Sequence, residues 1–182
     1  MSETPPSSGG PPSGGAEPEL PPVPKSLHSA FLDGPFDKCV SCSADLLAPG
    51  CVYQIQKSWK GSEVVFELAV CAHCAEETVR EFSEESLCRI QRFLTERYRP
   101  SLKLDHCHFC RKAVDENTDH ELGAPCMGLN LLRPVVMICA DCSQASQDNL
   151  SRKTRDAWGN FVDDNIPGVP ESLEPENVPF TF

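Results

Sequence analysis

Four Cys-x-x-Cys pairs mark out this chain: Cys39/Cys42, Cys71/Cys74, Cys107/Cys110 and Cys139/Cys142. The same 28-residue gap separates the first pair from the second (43–70) and the third from the fourth (111–138), so every cysteine of the first set recurs 68 residues later. The stretch VCAHCAEETV (70–79) has its echo in ICADCSQASQ (138–147): an apolar residue, Cys-x-x-Cys, then polar residues suited to opening a helix. The match extends past the thiols. Phe82, Ser83, Ile90, Phe93 and Leu94 find Leu150, Ser151, Trp158, Phe161 and Val162 at the same offset. Such self-similarity reads as an internal duplication, two copies of one small supersecondary unit.

The flanks shorten the foldable part. Residues 1–24 are mostly Pro, Gly, Ser and Glu with no apolar pattern, and 167–182 are Pro-rich and acidic; both read as disordered tails. The first unit is then 25–100 and the second 101–166. Units this small rarely hold together by apolar burial alone and rely on disulfides or a metal. The N-terminus lacks the basic start and apolar core of a secretory signal. No apolar run approaches the length needed to cross a bilayer. An intracellular, cytoplasmic and reducing setting is expected, where paired Cys-x-x-Cys serves metal or redox chemistry rather than disulfides.

Within the first unit, CVYQIQKSW (51–59) and EVVFELAV (63–70) read as a hairpin around Lys60-Gly61-Ser62, with Val64, Phe66, Leu68 and Val70 on one face. The returning strand delivers Cys71 and Cys74 to a helix start. Ser83 caps a second helix, Phe82 and Leu87 form its hydrophobic staple, and Leu87, Ile90, Phe93, Leu94 and Tyr98 form its apolar stripe. The second unit predicts a shorter hairpin, Met127–Leu132 with Val135–Cys139 around Arg133-Pro134, followed by a helix after Cys142.

Two Cys-x-x-Cys turns brought together offer four thiolates to a tetrahedral ion, which suits Zn²⁺. Two zinc ions per chain are expected: one on Cys39, Cys42, Cys71 and Cys74, the other on Cys107, Cys110, Cys139 and Cys142. The second pair of each set sits where a helix begins, so free N–H groups and the helix dipole favour the excess negative charge. Four protein ligands close the coordination sphere, which makes such a site structural and not catalytic. Three rivals share the spacing. Rubredoxins join similar turns on iron, although their turns carry Gly after the second cysteine where this chain has Ser43, Ala75, Arg111 and Ser143. A thioredoxin-like dithiol would not need four matched pairs. A cross-braced arrangement would join Cys39/Cys42 to Cys107/Cys110, against the completeness of each repeat.

Cys51, Cys88 and Cys126 read as buried free thiols. His73, His106 and His108 read as turn residues beside the cysteines, and Glu76 and Glu77 as favourable charges in a helix's first turn.

Knuckle, hairpin, then knuckle at a helix start resembles the treble-clef zinc finger. The second unit, with HCHFCRKAV and VVMICADCSQASQDNL, is also similar to the N-terminal zinc-binding domain of the ClpX chaperone over roughly 105–150, with a fainter copy at 37–82. The resemblance implies a small protein-docking module that recognises adaptors or substrates and self-associates. The expected fold is thus a small, metal-stabilised α+β protein of two treble-clef-like units.

The expected function is a non-catalytic adaptor that binds a protein partner; Trp59 is a candidate anchor, though packing on the neighbouring helix is the simpler reading, and the final VPFTF reads as an ordinary frayed end rather than as a docking peptide. The alternative is nucleic-acid binding through Lys57, Trp59 and Lys60 on one hairpin and Arg89, Arg92 and Arg99 along one helix. The net charge of −11 disfavours that alternative and an anionic membrane surface alike. Pairing of the arginines with Glu85 and Glu96 is the simpler account of that helix face.

Overall fold

The computed structural model describes residues 20–166. The tail expectations for 1–19 and 167–182, VPFTF included, lie outside the described residues. Residues 20–24 depart from the tail reading. The Val23 N–H donates to the Leu129 carbonyl, the Leu131 N–H donates to that of Pro21, and Val23 is buried.

The core is one antiparallel sheet that both halves share. Strands β1 (Val52–Lys60) and β2 (Glu63–Cys71) form the predicted hairpin. Its two-residue turn begins at Gly61 with φ 59°, a left-handed conformation that glycine adopts without penalty. Strand β3 (His120–Met127) pairs along eight residues of β1, from Val52 opposite Met127 to Trp59 opposite His120. The far edge of β3 carries β5 (Val136–Cys139) on its first half and β4 (Asn130–Leu131) on its second.

Strand β3 corrects the expected second hairpin. Its sequence, HELGAPCM, contains a Gly and a Pro, residues that argue against a central strand. The chain accommodates Pro125 by geometry. The Leu132 N–H donates to the Pro125 carbonyl, so that carbonyl points away from β1 and the missing N–H lies on the same side. There it falls between the stretches paired to β5 and β4, and the β1 ladder loses nothing.

Four helices follow: α1 (Ala72–Arg80), α2 (Glu84–Arg97), α3 (Ala140–Gln147) and α4 (Arg152–Asn165). Helix α2 lies over the sheet face that carries Val52, Gln54, Val136 and Ile138. The opposite face holds Tyr53, Ile55 and Lys57 and is covered by a 3-10 turn, Lys25–Leu27, with Leu27 fully buried.

Residues 68 apart meet at the centre of the fold. Ser83 caps α2 by accepting from the Ser86 N–H, and Ser151 caps α4 by accepting from the Thr154 N–H. The third residue of each helix then caps the other helix. The Ser83 N–H donates to Thr154 Oγ1 at 3.0 Å, and the Ser151 N–H donates to Ser86 Oγ at 2.8 Å. The two N-cap hydroxyls lie 2.8 Å apart. An ordinary capping box closes on its own helix; here the two are exchanged about a local twofold. Ser86→Ala is expected to cost about 1–3 kcal/mol, since it leaves the half-buried Ser151 N–H without its acceptor. Hydrogen exchange checks the crossing: the Ser151 amide, not the Ser83 amide, should lose protection.

Candidate metal centres

The first cluster is assembled from a loop and a helix start. Residues 38–45 form a tight turn closed by a bridge between Lys38 and Asp45. Within it the Cys39 N–H donates to the Ala44 carbonyl and the Ser43 N–H to the Cys39 carbonyl. Strand β2 brings Cys71 to the N-cap of α1, which puts Cys74 at the third helical position. In the second half the corresponding bridge joins His106 and Ala113, and the Cys107 N–H donates to the Lys112 carbonyl and the Arg111 N–H to the Cys107 carbonyl. Cys139 is likewise the N-cap of α3.

The structure brings together Cys39, Cys42, Cys71 and Cys74, and separately Cys107, Cys110, Cys139 and Cys142, with the four Sγ atoms of each group within 4.8 Å of one another. Pairing is local in each half and not cross-braced. Tetrahedral Zn–S bonds of about 2.3 Å imply S···S edges of about 3.8 Å. The Cys42–Cys71 and Cys110–Cys139 separations are 3.8 Å and 3.7 Å, so both donor sets fit a tetrathiolate ion. In each cluster the second cysteine is exposed and the other three are buried.

Backbone amides aim at the sulfurs. The Cys71 N–H donates to Cys39 Sγ at 3.3 Å, and the N–H groups of Cys139 and Phe109 donate to Cys107 Sγ at 3.4 Å. Burial pushes the Cys39 thiol up, but donors from Cys42, Cys71 and Ser41 outweigh it and bring the pKa to about 7. Cys107 is lowered for the same reasons. Burial and the neighbouring sulfurs instead push Cys74 up to about 12 and Cys139 to about 11, and raise Cys71 and Cys142. One thiolate in each group is thus prepared by the fold. Full ionisation of all four needs a cation to offset their mutual repulsion, which is how metal binding couples to proton release.

Ser43 and Arg111, each directly after the second cysteine of its turn, have φ of 59° and 67°. This is the backbone region glycine favours, adopted here by residues that carry a Cβ at a cost of about 1–2 kcal/mol each. The turns therefore take the glycine conformation without the glycine.

The other candidates fall outside the clusters. His73 is exposed beside Glu77, and His106 bonds Asp105. His108 is fully buried: its Nδ1 accepts from the Met137 N–H while Nε2 faces the Lys103 carbonyl, an arrangement for a neutral ring. Burial and the nearby Arg111 hold its pKa down against the Lys103 carbonyl. Glu76 and Glu77 lie past the first turn of α1, beside Arg80 and His73. Cys126 is buried, Cys51 half-buried and Cys88 exposed, the last against expectation.

The basic residues assigned to the hairpin and helix separate. Lys57 is buried in an ion pair with Glu67, and Trp59 stacks on His120 of β3 with ring centroids 5.0 Å apart. Arg89 pairs with Glu85, and Arg99 bonds the backbone carbonyls of Tyr98 and Glu96. Sequence reading missed Glu121, buried opposite Ser58, whose carboxyl is pushed up to about 8 by burial with only Ser143 opposing. Among the described residues no helix is long and apolar enough to cross a membrane. No family model, curated protein or solved structure matches this chain.

Proposed function

We propose that the chain is a non-catalytic zinc protein in which two structural Zn²⁺ ions, one per cysteine cluster, staple two copies of a treble-clef-like unit, and that it serves as an adaptor for a protein partner in a reducing, cytoplasmic setting. The observation that carries this reading is the pair of four-sulfur clusters, each with its Sγ atoms within 4.8 Å of one another and one edge at the length a tetrahedral ion requires. Four cysteine ligands leave no position for substrate or water, so the ion's contribution is folding energy rather than Lewis acidity. The burial of Lys57 and the engagement of Arg89 and Arg99 weigh against a phosphate-binding surface, as does the net charge. Self-association is part of the adaptor reading and follows from the ClpX-type likeness.

One observation favours a second reading. The left-handed backbone at Ser43 and Arg111 is the conformation that glycine takes in rubredoxin-like turns, and a tetrahedral set of four sulfurs also suits iron. Metal content per chain on protein purified under reducing conditions, with a visible spectrum, decides between them. Two zincs and no colour are expected. Iron with strong visible absorption makes the protein an electron carrier, and fewer than two metals overturns the paired-site reading. The adaptor role is then tested by partner capture beside a nucleic-acid titration across salt concentrations. A steep log–log salt slope replaces the protein partner with phosphate.

A further inference from the structure

Helix α2 borders a cavity that lies beside the second cysteine cluster and includes none of its thiols. It encloses ≈ 540 Å³ between the helix, the sheet and the second cysteine turn, within the range of about 300–1,000 Å³ that small-molecule sites occupy. Its walls are mostly apolar, with Gln54 and Ser146 among the polar exceptions. Phe93 of α2 stacks on Phe109 with centroids 5.3 Å apart, and Tyr98 tilts against Phe109 at 5.6 Å. Strand β5 lays Val136 and Ile138 along the floor, and Leu94 faces them from the helix. An aromatic cluster already locked in place loses little entropy when a ligand enters.

One cation lines the cavity, while Arg97, outside the lining, lies over the Phe93 ring 5.4 Å from its centroid. Arg133 is the sole lysine, arginine or histidine bordering the cavity, it is exposed, and no carboxylate pairs with it among the described residues. Its charge reaches the Tyr98 phenol, whose pKa burial raises and Arg133 pulls back. Both residues border this one cavity. Pro134 follows directly and limits how far the loop can carry the arginine away. The same Leu132–Pro134 segment also borders a second apolar cavity of ≈ 370 Å³ near Pro21 and Leu104, so Arg133 stands at the polar seam between two hydrophobic hollows.

A mostly apolar pocket with one fork-shaped donor group selects for an apolar body bearing one planar anion, since guanidinium bonds a carboxylate through two parallel N–H donors. A dianionic phosphate would bring a second charge with no second cation among the lining residues to meet it. A polyanion would also face the repulsion of a chain carrying −11. We propose that the cavity beneath α2 is a binding site for a free medium-chain monocarboxylic acid, with its hydrocarbon against Phe93, Leu94, Phe109 and Ile138 and its carboxylate on Arg133 and the Tyr98 hydroxyl.

Titration calorimetry of the full-length, metal-loaded chain with decanoate, and separately with decanol, both below their aggregation limits, tests this. One saturable decanoate per chain is expected. Arg133→Gln, at an exposed position that the fold does not depend on, should weaken decanoate by about tenfold or more and leave decanol unchanged. Leu94→Trp, which fills the cavity, should remove both, with metal content and circular dichroism showing that the variant is folded. If it is not folded, Arg133→Gln alone still decides. Absence of saturable decanoate binding overturns the proposal. Equal loss of decanol and decanoate on Arg133→Gln, or none of either, overturns the carboxylate assignment. Retained binding in a folded Leu94→Trp protein places the ligand elsewhere and overturns the site.

Discussion

Cys139→Ser is expected to leave a protein that loses both metals and both halves of its fold in one transition, not a protein with one intact half. A structural zinc contributes about 10–16 kcal/mol of apparent folding free energy in small modules, while a whole domain is stable by only about 5–15 kcal/mol. Loss of one ion therefore consumes the margin of anything coupled to it. The coupling is visible in the sheet. Cys139 ends β5, which pairs with β3, and β3 pairs along eight residues of β1, whose other neighbour β2 ends at Cys71. The crossed caps of Ser83, Ser86, Ser151 and Thr154 tie the helices in the same way. Serine is close in size to cysteine, so altered packing does not account for such a collapse. Chelator titration followed by circular dichroism and released metal should show a single cooperative loss in the parent protein. The variant should be largely unfolded at neutral pH. Release of the metals in two separate steps, with half the ellipticity lost in each, would show that the halves fold independently.

The cysteine clusters were legible because metal chemistry fixes both residue type and spacing, and because the spacing occurs twice. The helix cap at Ser83 was equally plain, since the signal is local, a hydroxyl with Phe82 and Leu87 at staple spacing, and Ser151 followed as its match 68 residues on. That the third residue of each helix serves the other helix was not legible, because nothing local distinguishes an exchanged capping box from an ordinary one. Strand β3 was hidden by Gly123 and Pro125, tolerated only because the proline's missing donor points into the gap between β4 and β5. The partner of Lys57 was hidden by the register. Counting back from the Gly61-Ser62 turn, with Lys60 opposite Glu63, places Lys57 opposite Phe66. An irregularity between Ser58 and Trp59 slips the ladder by one and sets Lys57 opposite Glu67 instead. The slip supplies Lys57 with a cross-strand carboxylate on the face it shares with Tyr53 and Ile55, and the Lys25–Leu27 turn covers that face.

That pair carries the second large effect. Lys57 Nζ and Glu67 Oε2 lie 3.1 Å apart with both side chains 4% exposed. Each also holds the segment that covers the sheet. Lys57 donates to the His28 carbonyl, while Ser29 Oγ and the Ala30 N–H donate to the Glu67 carboxylate. Glu67→Gln preserves the shape and an acceptor for Ala30 but leaves the ammonium buried without its counter-charge, for an expected loss of about 3–5 kcal/mol. Replacing both, as Lys57→Met with Glu67→Leu, should cost less than the single change, because no charge is then stranded. The pH dependence follows from the carboxylate. Burial raises its pKa, but the bonds from Ala30, Ser29 and Lys57 outweigh burial and hold it below the ordinary glutamate range. A depressed carboxylate contributes stability above its unfolded pKa and loses it as pH falls through the folded one. The gap between the parent and Glu67→Gln should accordingly be full at neutral pH and close below about pH 4.5, where the parent carboxylate takes up its proton. Denaturant melts at matched pH values read that gap directly. A gap that stays constant down to low pH would mean that the loss comes from altered packing of residues 25–34 and not from the charge.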